Sequence, residues 1–241
     1  MKAFCTLFSL LIATTFFAQS LDGAWQLTHE NGEMLTNNEV IAIYQDGYFA
    51  VGAKEARTNQ FLYAYGGEYT FRGRNYTETQ DFNTRSPQRI GNAMDFRATL
   101  KDDQLELSSG GHTQTWQRLS ENTDALTRNW VITGRERDGQ MNTMTPGDRR
   151  TVKILSGGRF QWIAFNSATK EFSGTGGGTY TAKNGVYTEN ITFFSRDNSR
   201  VGASLQFQYE VKDGKWHHRG KSSTGNSIYE IWSPYKEAYR K

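Results

Sequence analysis

Two stretches of this chain are written twice. Gly66-Gly67-Glu68-Tyr69-Thr70, followed by Tyr76-Thr77-Glu78-Thr79, is one copy; Gly177-Gly178-Thr179-Tyr180-Thr181, followed by Tyr187-Thr188-Glu189-Asn190, is the other. Tyr69 and Tyr180 stand 111 positions apart, and so do Tyr76 and Tyr187. Outward from this core Trp25 answers Trp130, residues 40–51 answer 152–163, residues 96–102 answer 207–213, and Trp116 answers Trp232. A period of about 110 residues is too long for a solenoid unit and suits a whole domain, so the chain is a tandem duplication.

Aromatic residues at 14%, with 24 glycines and only 3 prolines, are a β-rich signature. Alternation predicts first-copy strands at residues 23–29, 39–44, 48–51, 60–65, 68–72, 75–82, 95–101, 104–108 and 113–118. Asp46-Gly47, Gly73-Arg74 and Asp102-Asp103 supply tight turns between them. The second copy repeats the scheme around Gly157-Gly158, Asn184-Gly185 and Asp213-Gly214. The expected fold is all-β: two tandem antiparallel up-and-down barrels of about eight or nine strands each, over residues 21–120 and 125–236. Residues 120–125 form a polar linker, and residues 234–241 add at most one short helical turn. A pair of β-sandwiches and a single barrel of about sixteen or more strands are the alternatives.

Lys2, an apolar run over residues 4–17 and the small residues of Ala18-Gln19-Ser20 predict a signal peptide over residues 1–20. Secretion or a periplasmic location is therefore expected. Cys5, the sole cysteine, lies in that segment, so the mature chain is expected to carry no thiol. Nothing after it is apolar enough to cross a membrane as a helix. Without Lys2 there are 28 − 1 = 27 basic residues against 25 acidic ones, interspersed and without a tract. Nucleic-acid binding is accordingly not expected.

Gly23-Ala24-Trp25 opens the first predicted strand, and Arg128-Asn129-Trp130 opens its counterpart without the glycine. With the Gly-Gly-x-Tyr-Thr and Tyr-Thr-Glu repeats, Lys215-Trp216-His217-His218-Arg219-Gly220 and Tyr229-Glu230-Ile231-Trp232, the chain resembles the small lipocalin-like domains of secreted or envelope bacterial proteins. That family's function is largely unassigned. The resemblance implies calycin-type barrels and, by analogy, ligand binding.

Residues two apart on a strand share a face, which pairs Tyr76 with Glu78, Tyr187 with Glu189, and Trp216 with His218. If these faces point inward, each barrel holds a carboxylate beside a phenol. Such a pair can bind a polar ligand head, act as acid and base, or tie the barrel together. Trp162 and Tyr180 join the candidate ligand-binding set, and Phe165 and Tyr48 join the aromatic groups expected to line the two cavities. Leu105 and Leu107 stand in the first copy where Trp216 and His218 stand in the second. Residues 83–89 and 135–150 are expected as arginine-bearing loops at comparable places in the two copies. No cofactor, metal site or catalytic motif is expected; Gly174-Thr175-Gly176-Gly177-Gly178 opens a strand and not a helix. The leading expectation is a protein holding a small amphipathic or hydrophobic ligand inside a barrel. The alternatives are an enzyme using a Glu/Tyr or Glu/His pair on a sugar or lipid, and a structural envelope module that binds other proteins.

Overall fold

The computed structural model describes residues 20–239; residues 1–19 of the expected signal segment lie outside the described residues. The first half forms β1 (Gly23–Glu30), β2 (Glu33–Met34), β3 (Asn38–Gln45), β4 (Tyr48–Glu55), β5 (Phe61–Arg72), β6 (Asn75–Asn83), β7 (Ala93–Lys101), β8 (Gln104–Ser109) and β9 (His112–Ser120). The second forms β10 (Arg128–Arg137), β11 (Gln140–Thr143), β12 (Arg149–Ser156), β13 (Arg159–Asn166), β14 (Glu171–Lys183), β15 (Val186–Phe194), β16 (Ser204–Lys212), β17 (Lys215–Lys221) and β18 (Ser227–Pro234), before the short helix α1 (Tyr235–Ala238). Every pairing is antiparallel. β1 bonds to both β3 and β9, and β10 to both β12 and β18, so each half closes into an eight-stranded barrel. β2 and β11 are short additions to β1 and β10. Closure leaves no long free edge for another chain to pair with.

Hairpin chemistry follows the turn residues. Asp46-Gly47, Asp102 and Asp213-Gly214 adopt the positive φ that such tight turns require. The duplicated Gly-Gly has a different role. β5 is one continuous strand, bulged against β6 between Gly66 and Gly67, where two separate strands were expected. β14 is bulged in the same way against β15 between Gly177 and Gly178. A Cβ on Gly67 would run into the Thr79 carbonyl, and one on Gly178 into that of Asn190. Only glycine admits this close approach.

At the end where the chain enters each barrel, a tryptophan forms the floor. Trp25 Nε1 donates to the Leu21 carbonyl and Trp130 Nε1 to that of Leu126, both at 2.8 Å. The guanidinium of Arg118 lies 4.2 Å from the Trp25 ring centre.

The structure corrects the expected correspondence of residues 40–51 by one position. Tyr44 and Leu155, Phe49 and Phe160 all face the interiors, so residues 40–51 answer 151–162 at the same offset of 111 as the tyrosines. A one-residue slip exchanges the two faces of every strand it touches. The error therefore hid which residue faces inward at position 153.

The barrels meet along their outer walls. Ile43, Tyr48, Ala50, Phe82, Val152, Ile154, Ile163 and Phe165 form one buried cluster drawn from both halves. Tyr48 and Phe165, expected among the cavity aromatics, belong to this seam because their strands turn them outward. Ser156 Oγ donates to Gln45 Oε1 at 2.7 Å, a contact between positions 111 apart. Equivalent residues thus touch across the seam, as they do across a two-fold interface. Within it Arg150 meets Asp81 at 2.7 Å, the two side chains 0% and 4% exposed. Residues 135–150 are consequently not one long loop; they include the end of β10, all of β11 and the start of β12. The counterpart of the loop after β6 is the segment between β15 and β16, each carrying a short 3-10 turn.

Candidate functional site

The interior of the second barrel is a stack of rings crossed by a charged layer. Trp216, Trp232, Tyr187, Phe160 and Phe207 pack above the Trp130 floor, with Trp216 5.9 Å from both Trp130 and Trp232 between ring centres. Halfway along the barrel Lys153 from β12 meets Glu189 from β15, Nζ to Oε1 at 2.6 Å, with side chains only 6% and 7% exposed. The ammonium lies 5.3 Å from the Trp216 and Trp232 ring centres and 5.4 Å from that of Tyr187. A cation held by one carboxylate and several ring faces is compensated without water.

Beside this pair, Glu230 from β18 collects three donors. Arg135 approaches Oε1 at 2.6 Å, and Trp232 Nε1 and His218 Nδ1 approach Oε2 at 3.1 and 3.3 Å. Burial works to raise this carboxyl, but the hydrogen bond from His218, with the charges of Lys153 and Arg135, outweighs it and holds it below the usual carboxylate range. His218 is pushed below the ordinary histidine range, chiefly by burial. A neutral imidazole facing an ionised carboxylate carries its proton on Nδ1, which leaves Nε2 as a lone-pair acceptor.

Three buried polar atoms around this layer have no hydrogen-bond partner: Tyr187 OH, Trp216 Nε1 and His218 Nε2. Their rings form one cluster, with centres 5.1 Å apart for Tyr187–Trp216 and Trp216–His218 and 5.8 Å for Tyr187–His218. The Tyr187 hydroxyl is held far from ionisation by burial and by the charge of Glu189. Buried polar groups are normally paired, and leaving one unmade costs about 1–3 kcal/mol. The interior's own side chains leave these three polar atoms without a hydrogen bond.

The first barrel carries the same layer in neutral form. Ala42 replaces Lys153, Leu107 replaces His218, and Gln114 takes the place of Glu230, accepting from Trp116 Nε1 at 3.3 Å. Glu78 accepts from Gln80 Nε2 at 2.8 Å and from the Tyr76 hydroxyl at 3.2 Å, with no cation bonded to it. Burial raises its pKa from 4.5 to about 7. The folded chain therefore holds this proton more tightly than the unfolded chain. The resulting stability is fully present below pH 4.5 and is lost as pH rises through about 7. A shift of this size corresponds to about 3 kcal/mol. Glu78→Gln should thus be more stable than the parent by up to about 3 kcal/mol at about pH 8.5, with no advantage at about pH 4. Urea unfolding at the two pH values checks this; parallel curves for both proteins would rule out a neutral Glu78.

Of the residues singled out by sequence, Tyr187, Glu189, Trp216 and His218 come together, and Tyr180 packs 5.7 Å from Tyr187. Tyr76 and Glu78 form the corresponding pair in the first barrel. Trp162 stands across from Lys153 on the neighbouring strand, half-buried against this same cluster and 5.5 Å from Phe194. Lys153 and Arg135 were not found by sequence reasoning. Lys153 was concealed by the one-residue slip; the offset of 111 places it opposite Ala42 on the inner face. Among the described residues, two clefts lie away from this layer. One, of about 800 Å³, opens beside β6, β7 and the β8–β9 turn with Tyr76 in its lining, and there Thr77 is joined to Asp95 at 2.6 Å. The other, between the barrels, has room for about 10 Å³, a single water.

The chain is thus two tandem closed eight-stranded antiparallel barrels, the second of which carries a buried ion pair that the first lacks. No family model and no curated protein sequence matches the chain. Among solved structures it is similar to a lipocalin-like protein from Bacteroides uniformis, with 17% identity, a TM-score of 0.34 and coverage of 41% of this chain and 98% of that one. It is also similar to an uncharacterized protein from Bacteroides eggerthii, with 14% identity, a TM-score of 0.33 and coverage of 41% and 99%. The fold assignment rests on the strand order and closure described above. Among the described residues no helix is long and apolar enough to cross a membrane.

Proposed function

We propose that this is an exported binding protein whose second barrel holds a small amphipathic ligand. One observation carries the reading: Tyr187, Trp216 and His218 present unpartnered polar atoms inside an aromatic-lined barrel. The first barrel, with leucines at two of the three positions, shows no such cluster and acts as a scaffold fused along the Arg150–Asp81 seam. Ligand sites are commonly apolar cavities with a few convergent polar groups, and this interior has that composition. Export is supported by the signal-like residues 1–20 and by Leu21, which is already buried in the first barrel and is expected to be kept after processing.

Native mass spectrometry of the protein recovered from outside its host's cytoplasm tests both parts. The expected mass begins close to Ser20 and carries a discrete small molecule, released by denaturation and absent from His218→Leu, which copies the first barrel at Leu107. A ligand-free parent under gentle conditions would count against binding and favour a solid structural module. The Glu230–His218 pair is the feature that supports a second reading, an acid–base enzyme. Its mark would be a bound molecule that is chemically altered on incubation with fresh protein.

A further inference from the structure

We infer that the second barrel selects a ligand bearing an uncharged hydroxyl group and discriminates against the matching carboxylate. The inference rests on the binding reading above and adds the chemistry of the head group. Every charge in the layer is already matched within it. Lys153 pairs with Glu189 at 2.6 Å and Arg135 with Glu230 at 2.6 Å, so the two cations and two carboxylates sum to zero. An anionic head would find no free cation to pair with and would lose its hydration in a water-poor interior.

The unpartnered atoms specify what fits instead. Trp216 Nε1–H can only donate, the Tyr187 hydroxyl can donate or accept, and His218 Nε2 can only accept because Nδ1–H is committed to Glu230. A hydroxyl group has one proton to give and two lone pairs to receive with. It donates to His218 and accepts from Trp216 and Tyr187, satisfying all three. A carboxylate offers no proton to His218 and leaves two lone pairs facing each other. The rings of Phe207, 4.2 Å from His218 between centres, and of Trp232 supply apolar surface beside these atoms. In the first barrel Leu107 supplies no acceptor, so discrimination belongs to the second barrel alone.

The test uses the full mature chain and two matched pairs of probes, hexanol with hexanoate and decanol with decanoate, followed by calorimetry and tryptophan fluorescence near neutral pH. The alcohols are expected to bind at least about ten-fold more tightly than the acids, the ratio that follows from one buried acceptor left unpaired. Trp216→Phe, which removes the indole N–H and keeps the ring stack, should weaken the alcohols about five- to ten-fold. Near-UV circular dichroism and thermal melting establish that this variant is folded. His218→Leu should abolish the preference between alcohol and acid and serves as the second variant. Acids that bind as tightly as alcohols would overturn the inference while leaving the binding function standing. No binding by either series would overturn both. Unchanged alcohol affinity in Trp216→Phe would move the head group elsewhere and so overturn the inference.

Discussion

Lys153→Ala is expected to cost about 3–5 kcal/mol of stability at about pH 8 and much less at about pH 5. The ammonium is the direct partner of Glu189, at 2.6 Å, and both side chains are almost wholly buried among rings. Removing one member of such a pair strands the other's charge in a poor solvent, and that penalty exceeds the worth of the pair itself. The first barrel shows how the penalty is relieved. With Ala42 opposite it, Glu78 stays folded inside by keeping its proton up to about pH 7. Glu189 in the variant is expected to do likewise. The variant's folded state would then bind a proton that the unfolded chain gives up, so its stability falls with rising pH relative to the parent. At low pH only the deleted side-chain volume remains as a cost, about 1–2 kcal/mol. Lys153→Ala combined with Glu189→Gln should remove the pH dependence. Urea midpoints for the three proteins across this range decide the matter; an equal loss at both pH values would mean that Glu189 stays ionised, with Arg135 or solvent taking over from the lysine.

How much of this was legible beforehand depends on which interactions are local. The duplication, the strand alternation and the turns at Asp46-Gly47 and Asp213-Gly214 are written in short windows, and they lead to two closed barrels. The inward pairing of Tyr187 with Glu189 and of Trp216 with His218 follows from strand period alone. What escaped was set by register and by distance along the chain. Lys153 and Glu189 are 36 positions apart and Arg135 and Glu230 are 95 apart, so only the closed sheet brings them together. Misplacing residues 152–163 by one turned Lys153 outward on paper. The Gly66-Gly67 bulge reads as a break in the sequence because a glycine pair signals a turn as readily as a close approach of backbones. The seam was hardest to foresee. Outward Ile43, Ile154 and Phe165 look like barrel filling until the inner face of each strand is known.

That seam carries the other large expected effect. Arg150→Met should cost about 3–5 kcal/mol and separate the unfolding of the two barrels into distinct steps. Arg150, on β12 of the second barrel, is fully buried against Asp81 on β6 of the first. Burial works against its charge, and Asp81 more than compensates, keeping it protonated throughout. Its guanidinium also donates to the carbonyls of Gly147 and Asp148 at 3.1 and 3.2 Å and lies 4.1 Å from the Tyr239 ring centre. Tyr235, in α1 after the last strand, donates to the same Asp81 at 3.3 Å and packs 5.0 Å from Tyr48 of the first barrel. Strand β6, strand β12 and the chain's final helix are thus tied to one buried pair. Methionine fills the space but removes the cation that faces Asp81 in the seam. Asp81→Asn in the Arg150→Met background removes the stranded charge and should recover most of the loss, whereas Asp81→Asn alone should cost nearly as much as Arg150→Met. Denaturant unfolding followed by tryptophan fluorescence and far-UV circular dichroism gives the readout. Coincident transitions in the parent and separated ones in Arg150→Met are expected. A loss under about 1 kcal/mol with a single shared transition would show that the apolar wall around Ile43 and Ile154 couples the barrels without the ion pair.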